Sequence, residues 1–218
     1  MPDPALVYHA APLHYLLRIV QDGALYPQSV LAARGIRPRA SAARRDRMLG
    51  LADYLHLSLH AQTPLLADKL KQGYPHALLV FERARVLDLP HTALLPYNTK
   101  AWFDKAAYAP VTDALQKQTL LDAHEHQGRY PSLEVLVKYG LGFDGLKFIA
   151  FCAEEEHGQT RQTIISLDLP LPVPLCVRPE LFPVKDEYRP VTQGQVFDYF
   201  AACRTAGDVL PPPPIAFD

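Results

Sequence analysis

The sequence predicts an α+β fold with a split, mostly antiparallel β-sheet and flanking helices. Short apolar segments recur along the chain, few stretches have the 3.6-residue period of a helix, and strands do not alternate regularly with helices. The sequence contains neither a G-x-S-x-G elbow nor a Walker A loop. Serine hydrolases and P-loop phosphotransferases are therefore disfavoured. Rossmann oxidoreductases are disfavoured because strands and helices do not alternate regularly along the chain.

Length and proline content predict one domain over residues 1–218. A chain of 218 residues is long enough to bury about 70% of its unfolded surface without disulfides or metals. Prolines are concentrated in residues 169–190 and 211–214. They predict extended connections and a proline-rich C-terminal extension, not a second domain.

Charge content limits the kinds of partner that the protein can bind, and cysteine content indicates its redox compartment. With 22 basic and 23 acidic residues the net charge is −1, so any contact with nucleic acid has to be local. The three cysteines lack C-x-x-C spacing and fit reduced thiols in a cytoplasmic protein. We expect no leader and no membrane partner, because no apolar run approaches the ~18 residues that span a bilayer.

The N-terminal residues predict a strand and then a helix. Residues 6–9 form a short apolar strand, and Pro12 opens the helix. Its apolar face consists of Leu13, Leu16, Leu17 and Val20. Gly23 is the expected C-terminal cap. His9 then lies just ahead of a helix N terminus, where it either faces an anionic or ribose-bearing ligand or serves as an ordinary structural hydrogen bonder.

An arginine-rich segment spans residues 34–47 and contains a single acidic residue, Asp46. Its arginines are Arg34, Arg37, Arg39, Arg44, Arg45 and Arg47. Such a segment is either a solvated loop or helix face, or a phosphate-binding loop.

The strand predicted over residues 54–60 has two contrasting faces. The core face consists of Leu55, Leu57 and Leu59. The other face carries hydrogen-bonding groups from Tyr54, His56, Ser58 and His60. Such a face lines a cleft as readily as it faces water. A short helix then runs from Thr63-Pro64 to Gly73, and residues 77–81 and 86–89 predict two buried strands.

Residues 90–129 are polar, aromatic and weakly periodic. So long a segment tends to be functional or to contain a short helix, which residues 111–121 could supply. His124, Glu125 and His126 lack the His-Glu-x-x-His spacing of a zinc protease. We therefore expect no metal site.

One carboxylate interrupts an otherwise apolar strand over residues 133–137. Side chains alternate along a strand, so Glu134 shares one face with Leu136 while Leu133, Val135 and Val137 share the other. A carboxylate on a covered strand needs a cation or hydrogen-bond donor to meet it. Glu134 therefore lies on a solvated edge, pairs with a nearby arginine, or meets a substrate.

The C-terminal part predicts further strands and a last helix. Residues 146–151 and 163–166 are expected to be a strand pair around a charged turn at 154–158. A capping box at Thr192 opens the last helix, which Gly207 ends.

Several of these features occur in an order that is typical of one protein family. They are Val7-Tyr-His9, a helix ending in Asp22-Gly-Ala-Leu25, the arginine cluster, Leu51-Ala-Asp-Tyr-Leu-His-Leu-Ser-Leu59 followed by Thr63-Pro-Leu-Leu66, and Arg129 five residues before Glu134-Val-Leu-Val137. Together they resemble the DarT family of DNA ADP-ribosyltransferases. The resemblance covers residues 6–153 and implies an ADP-ribosyltransferase-like fold.

The resemblance also implies a reaction and its residues. A family member cleaves NAD at the nicotinamide bond and transfers ADP-ribose to a base in single-stranded DNA. By position, Glu134 is the catalytic glutamate, and one of Arg44, Arg45 and Arg47 is the essential arginine. NAD would be held by Tyr8, His9, Gly23, Leu25, Tyr54 and Ser58. The acceptor would be met by Arg129, His126 and Tyr130, although Arg129 is equally an ordinary surface charge.

NAD is thus the implied co-substrate, without a metal, and a macrodomain antitoxin that removes the modification is the implied protein partner. Loss of nicotinamide leaves an oxocarbenium-like ribose that a carboxylate stabilises, and an arginine is a two-pronged donor to pyrophosphate. Three hypotheses stay open. They are transfer to DNA, the same chemistry with RNA, protein or water as acceptor, and an inactive module that only binds nucleotide or a partner.

Overall fold

The computed structural model describes residues 5–36, 43–96, 109–127, 129, 132–171 and 173–183, with only the backbone at 43 and 44. Its strands are β1 (Leu6–Pro12), β2 (Ala24–Leu25), β3 (Tyr54–Ser58), β4 (His76–Glu82), β5 (Thr92–Leu95), β6 (Glu134–Lys138), β7 (Leu141–Gly142), β8 (Leu146–Phe151) and β9 (Leu175–Val177). Its helices are α1 (Leu13–Asp22), α2 (Gln28–Ala33), α3 (Ala43–Leu49), α4 (Pro64–Lys71), α5 (Arg83–Leu87), α6 (Ala114–Gln127) and α7 (Glu154–Ser166), followed by a 3-10 turn at Pro179–Leu181.

Within the described part of the chain, seven strands form one sheet in the order β5-β6-β3-β1-β4-β8-β9, and β2 pairs with β7. The pairs β1–β3, β3–β6 and β5–β6 are antiparallel, whereas β8 and β9 are parallel. The predicted α+β class with a mostly antiparallel sheet is confirmed.

The described residues divide into two compact units. The first takes its residues from Met1–His9, Leu25–His60 and Phe81–Gly145, and the second from Ala10–Ala24, Ala61–Val80 and Leu146–Asp218.

The first unit is organised around the antiparallel pair β3–β6. Leu57 lies opposite Val135 and Leu55 opposite Val137, and all four side chains are buried. On the other face of β6, Leu136 packs in a buried cluster with Leu51, Ala93 and Leu95. Strand β6 is therefore covered on both faces, as its apolar sequence predicts.

A tight turn follows β6 in the first unit. Gly140 has a φ of +143°, and a Cβ placed there would lie 2.9 Å from the backbone oxygen of Leu25. The glycines at 140, 142 and 145 have G-x-G-x-x-G spacing, but they connect β6, β7 and β8, and no helix follows them directly. The turn therefore does not have the strand-to-helix geometry of a dinucleotide-binding loop.

The second unit contains the predicted amphipathic helix. The residues Leu13, Leu16, Leu17 and Val20 of α1 are buried, and Gly23 ends the helix in the left-handed conformation with its N–H bonded to Val20 O. The N-cap of α4 is Thr63, whose hydroxyl accepts a hydrogen bond from the Leu66 N–H at 3.2 Å. Both helix boundaries follow from short-range chemistry, and both predictions are confirmed.

Two strand predictions are wrong. Residues 86–89 were expected to be a strand, but helix α5 ends at Leu87, and Val86 is its buried residue. Residues 163–166 and the expected turn at 154–158 belong instead to helix α7. Three glutamates in the first turn of α7 favour a helix N terminus, and Glu156, Thr160, Thr163 and Ile164 are buried at helical spacing.

Two further boundaries differ from the sequence-based expectation. The segment 90–129 contains strand β5, which was not predicted, and its helix runs over Ala114–Gln127 instead of 111–121. The predicted helix at 192–207 and the proline-rich extension at 211–214 lie outside the described residues.

Candidate active site

Strand β3 is paired with both of its neighbours, β1 and β6, through Ser58. Strand β1 pairs with β3 through Tyr8 and Ser58, and β3 pairs with β6 through Ser58 and Glu134. Directly opposed residues in an antiparallel pair have Cβ atoms about 4.5–5.5 Å apart on the same face. The register therefore places Glu134, at the start of β6, beside the last residue of β3.

The carboxylate of Glu134 is held by His56. Glu134 Oε2 lies 2.9 Å from His56 Nδ1, and the two side chains are 14% and 24% exposed. Burial by itself lowers the pKa of His56, but the hydrogen bond to Glu134 and the negative charges of Glu134 and Asp46 outweigh it. The pKa of His56 therefore lies above its ordinary value of 6.5, which favours an imidazolium that donates to the carboxylate.

A second carboxyl group, Asp46 of α3, lies near this pair. Asp46 is 3% exposed, and its Oδ2 accepts a hydrogen bond from Gln28 Nε2 at 3.1 Å. Burial raises the pKa of Asp46 and the charge of Glu134 adds to the rise, while the charge of His56 opposes it. Helix α3 therefore contributes a buried carboxyl group whose charge acts on the His56–Glu134 pair.

Two atoms of this group have unused hydrogen-bonding capacity. His56 Nε2 and Asp46 Oδ1 are both buried and have no hydrogen-bond partner in the part of the chain that the structure describes. One is a donor when the ring is protonated and the other is an acceptor.

The histidine of β1 is oriented by the backbone of β3. His9 Nδ1 donates a hydrogen bond to the carbonyl oxygen of His56 over 3.0 Å. Burial lowers the pKa of His9, so its ring is neutral near pH 7. Because Nδ1 carries the proton, Nε2 of His9 is an acceptor suited to a ligand hydroxyl.

The predicted arginines differ in their surroundings. Arg45 is half-buried beside Asp46, and its positive charge acts on that carboxyl group. Arg47 is exposed, and the side chain of Arg44 lies outside the described residues. Among the predicted arginines, Arg45 is therefore the one whose charge acts on Asp46.

Two of the residues predicted to meet an acceptor, His126 and Arg129, lie at the end of α6. The rings of His60 and His124 are in edge contact, with centroids 5.1 Å apart, so the last turn of α6 approaches the end of β3. His126 lies in that turn, and Arg129 follows it with its backbone N–H bonded to Ala123 O. The side chains of His126 and Arg129 are exposed, while Tyr130 lies outside the described residues.

Other predicted ligand residues lie away from Glu134 or are buried. Tyr54 is opposite Lys138, four residues from Ser58 and therefore about 13 Å along the strand. Tyr8 and Leu25 are buried, and Gly23 caps α1 in the second unit. Their predicted contacts with NAD stay predictions.

Three residues of the polar group around Glu134 were not among the predicted site residues. His56 was seen on the polar face of its strand, but its pairing with Glu134 depends on the register of two strands 78 residues apart. Asp46 had a signal, since it is the single acid in the arginine-rich segment. Gln28, which precedes that segment in α2, had none.

The described residues contain no group of three or more His, Cys, Asp or Glu side chains arranged to hold a metal ion. In the same residues, no helix is long and apolar enough to cross a membrane.

A separate cavity of about 260 Å³ lies between α5 and α6. It is lined by Arg83, Leu87, Gln118, Leu121 and Glu125 among others, and includes none of the polar residues around Glu134.

No protein-family model matches the sequence, and no curated protein matches it. Solved structures do match the fold. Thermus sp. 2.9 DarT in complex with NAD+ has a TM-score of 0.61 and 14% sequence identity, over 84% of this chain and 99% of that chain. The fold is that of DarT.

Two further structures extend the comparison with DarT. Thermus sp. 2.9 DarT in complex with ADP-ribosylated ssDNA has a TM-score of 0.62 and 13% identity, over 84% of this chain and 98% of that chain. Thermosipho africanus DarTG in complex with ADP-ribose has a TM-score of 0.60 and 12% identity, over 81% of this chain and 50% of that chain. The predicted DarT-like ADP-ribosyltransferase fold is thus confirmed.

Proposed function

We propose that the protein is an NAD-dependent ADP-ribosyltransferase that modifies a base in single-stranded DNA. The main support is a mostly buried glutamate at a strand start, hydrogen-bonded to His56 over 2.9 Å, in a DarT fold. Structures of that fold have been solved with NAD+ and with ADP-ribosylated ssDNA.

Glu134 acts on the ribose that carries nicotinamide. When the bond between C1′ and nicotinamide breaks, the pair of electrons leaves with nicotinamide and positive charge develops on the ribose. A carboxylate held beside that carbon stabilises the charge without having to reorganise during the reaction. A ring atom of the acceptor base then bonds to C1′ and the base loses one proton.

The neighbouring groups bind the rest of NAD. The Nε2 acceptor of His9 takes a hydrogen bond from a ribose hydroxyl, and the Ser58 hydroxyl lies directly opposite Glu134 in the sheet. A guanidinium from α3, with Arg45 the favoured one, pairs with the pyrophosphate. No metal is needed, because the charge of the phosphates is met by arginine.

The acceptor enters near the end of α6. His126 and Arg129 supply a local polar and cationic surface, which suits the phosphate of an unpaired nucleotide, while Tyr130 lies outside the described residues. The net charge of −1 provides no general attraction for DNA, so this contact has to be made locally.

We also propose a toxin role in the cytoplasm with a macrodomain antitoxin as partner. The support is the likeness to DarTG of Thermosipho africanus, whose structure contains ADP-ribose. A bulky, charged ADP-ribosyl group on a base should obstruct copying of the DNA, so expression of the wild-type chain is expected to slow growth, and Glu134→Gln to relieve it. Equal growth with both chains would contradict this role.

Labelled NAD distinguishes the acceptors. The protein is incubated with NAD and, separately, single-stranded DNA, duplex DNA, RNA, cell protein or buffer alone. Label is expected in single-stranded DNA with wild type and not with Glu134→Gln. Label in RNA or protein would show that the acceptor is RNA or protein instead of DNA. Release of nicotinamide in buffer alone would indicate a glycohydrolase. If NAD is not consumed at all, the protein is an inactive module that only binds nucleotide or a partner.

A further inference from the structure

The contact between His56 and Glu134 is diagonal across two strands. Leu136 lies opposite His56, and Ser58 lies opposite Glu134. Each of the two polar side chains therefore leans along the sheet to reach the other, and the 2.9 Å separation fixes the orientation of both. Exposures of 24% and 14% leave little room for water to replace this bond.

The titratable groups around His56 come from three elements. Glu134 approaches from β6 and Asp46 from α3, while His9 of β1 is bonded to the His56 carbonyl and is itself neutral. Arg45 acts on Asp46 and partly offsets its charge. Two carboxyl groups therefore act on one imidazole, Glu134 through a hydrogen bond at Nδ1 and Asp46 through its charge.

We infer that His56 is a positioning residue, which fixes the plane of the Glu134 carboxylate through its Nδ1–H while Asp46 supports the positive charge of the ring. The inference deepens the proposed transferase and rests on it. His56 acts through the carboxylate of Glu134 and does not itself touch NAD.

The arrangement predicts how the reaction depends on pH. A neutral imidazole can keep its Nδ1–H but has lost its positive charge, so deprotonation weakens the charge-assisted hydrogen bond that holds Glu134. The pKa of His56 lies above 6.5, because the interactions with Glu134 and Asp46 outweigh the effect of burial. Activity is therefore expected to fall as pH rises through that raised pKa.

Two amide variants test the roles of the two ring nitrogens of His56 one at a time. The amide nitrogen of asparagine occupies nearly the place of Nδ1, whereas that of glutamine occupies nearly the place of Nε2. His56→Asn therefore keeps a donor to Glu134 and His56→Gln removes it. His91→Gln is the control, because the His91 carbonyl accepts the Lys138 N–H at the far end of β6 from Glu134, about 13 Å away.

The first measurement is the transfer rate to single-stranded DNA at saturating NAD. We expect kcat to fall at least tenfold in His56→Gln, to stay within about threefold of wild type in His56→Asn, and to be unchanged in His91→Gln. The KM for NAD should change little in all three. His56→Asn should also lack the fall in activity above pH 6.5. Equal rates in the two amide variants of matched melting temperature would overturn the inference.

The second measurement needs no activity. The imidazole of His56 is titrated by NMR in wild type and in Glu134→Gln, and its pKa is expected to be lower in the variant. An unchanged His56 pKa would overturn the pairing itself. A wild-type protein that modifies no acceptor, yet shows the lowered His56 pKa in Glu134→Gln, would show that the pairing exists but that the proposed transferase, and with it the positioning role, is wrong.

Discussion

His9 Nδ1 donates its hydrogen bond to the backbone carbonyl of His56, with 3.0 Å between the two atoms. Strand β3 thus orients one polar group through its backbone and holds Glu134 through the side chain of the same residue. The tautomer of His9 is fixed by this bond, because a carbonyl only accepts. His9 therefore presents an acceptor, not a donor, at Nε2.

Replacing His9 tests that acceptor. His9→Asn keeps a donor at the place of Nδ1 and removes Nε2, so the bond to the His56 carbonyl can persist while the ligand contact is lost. We expect the Kd for NAD to rise about tenfold, which corresponds to about 1.4 kcal/mol, with a nearly unchanged melting temperature. Isothermal titration calorimetry measures the Kd, and an unchanged value would contradict the role of His9.

The two histidines predict opposite dependences of stability on pH. The folded-state pKa of His56 is raised, so its contribution to stability is complete below about 6.5 and is lost as pH rises through the folded pKa. The folded-state pKa of His9 is lowered, so the unfolded chain takes up its proton first and stability falls as pH drops below about 6.5.

Urea unfolding at a series of pH values measures these two dependences of stability on pH. The free energy of unfolding of His56→Asn should decline less than that of wild type above pH 6.5. That of His9→Asn should decline less than wild type below pH 6.5. Parallel curves for wild type and both variants would show that neither histidine has a shifted pKa in the folded protein.

The buried Asp46 supports the charge of His56. Asp46→Asn keeps an oxygen that accepts from Gln28 Nε2 but removes the negative charge. The pKa of His56 should therefore fall in this variant, since the charge of Asp46 is one of the causes that raise it. NMR titration of His56 checks the change, and Asp22→Asn in α1 is the control, because its partner is Arg18. A His56 pKa that stays at the wild-type value would disprove the charge interaction.

The turn after β6 requires glycine at one position. A Cβ at Gly140 would lie 2.9 Å from Leu25 O and 3.0 Å from a ring carbon of Tyr26, and the φ of +143° is strained for other residues. Gly140→Ala should lower the free energy of unfolding by about 1–3 kcal/mol. At Gly142 a Cβ would meet nothing within 4 Å, so Gly142→Ala should cost less than about 1 kcal/mol. Equal losses in urea unfolding would contradict this account of the turn.

Elements with strong local signals could be predicted from the sequence. Helix α1 has a four-residue apolar face and a glycine cap, and β3 alternates strictly between leucines and polar residues. Helix α7 was mistaken for a strand because Thr163-Ile-Ile is β-branched, and Gly158 inside the helix imitates a turn. Burial of Thr160 and Ile164 in the folded protein outweighs that local preference.

The candidate site could be predicted only in part, because its geometry is not local. Glu134 and His9 were identified from their positions in the sequence, and the structure places both beside His56. The His56–Glu134 bond depends on the register of β3 and β6, and the position of Asp46 depends on how α3 packs. Neither relationship has a sequence spacing that reveals it.

Glu134 is proposed to drive transfer of ADP-ribose from NAD to DNA, and mass spectrometry of a single-stranded oligonucleotide detects the product of that transfer. After incubation with NAD and wild-type protein, the oligonucleotide should gain the mass of one ADP-ribosyl group, and Glu134→Gln of equal melting temperature should leave it unmodified. An unmodified oligonucleotide with wild type, or equal modification by the variant, would contradict the claim.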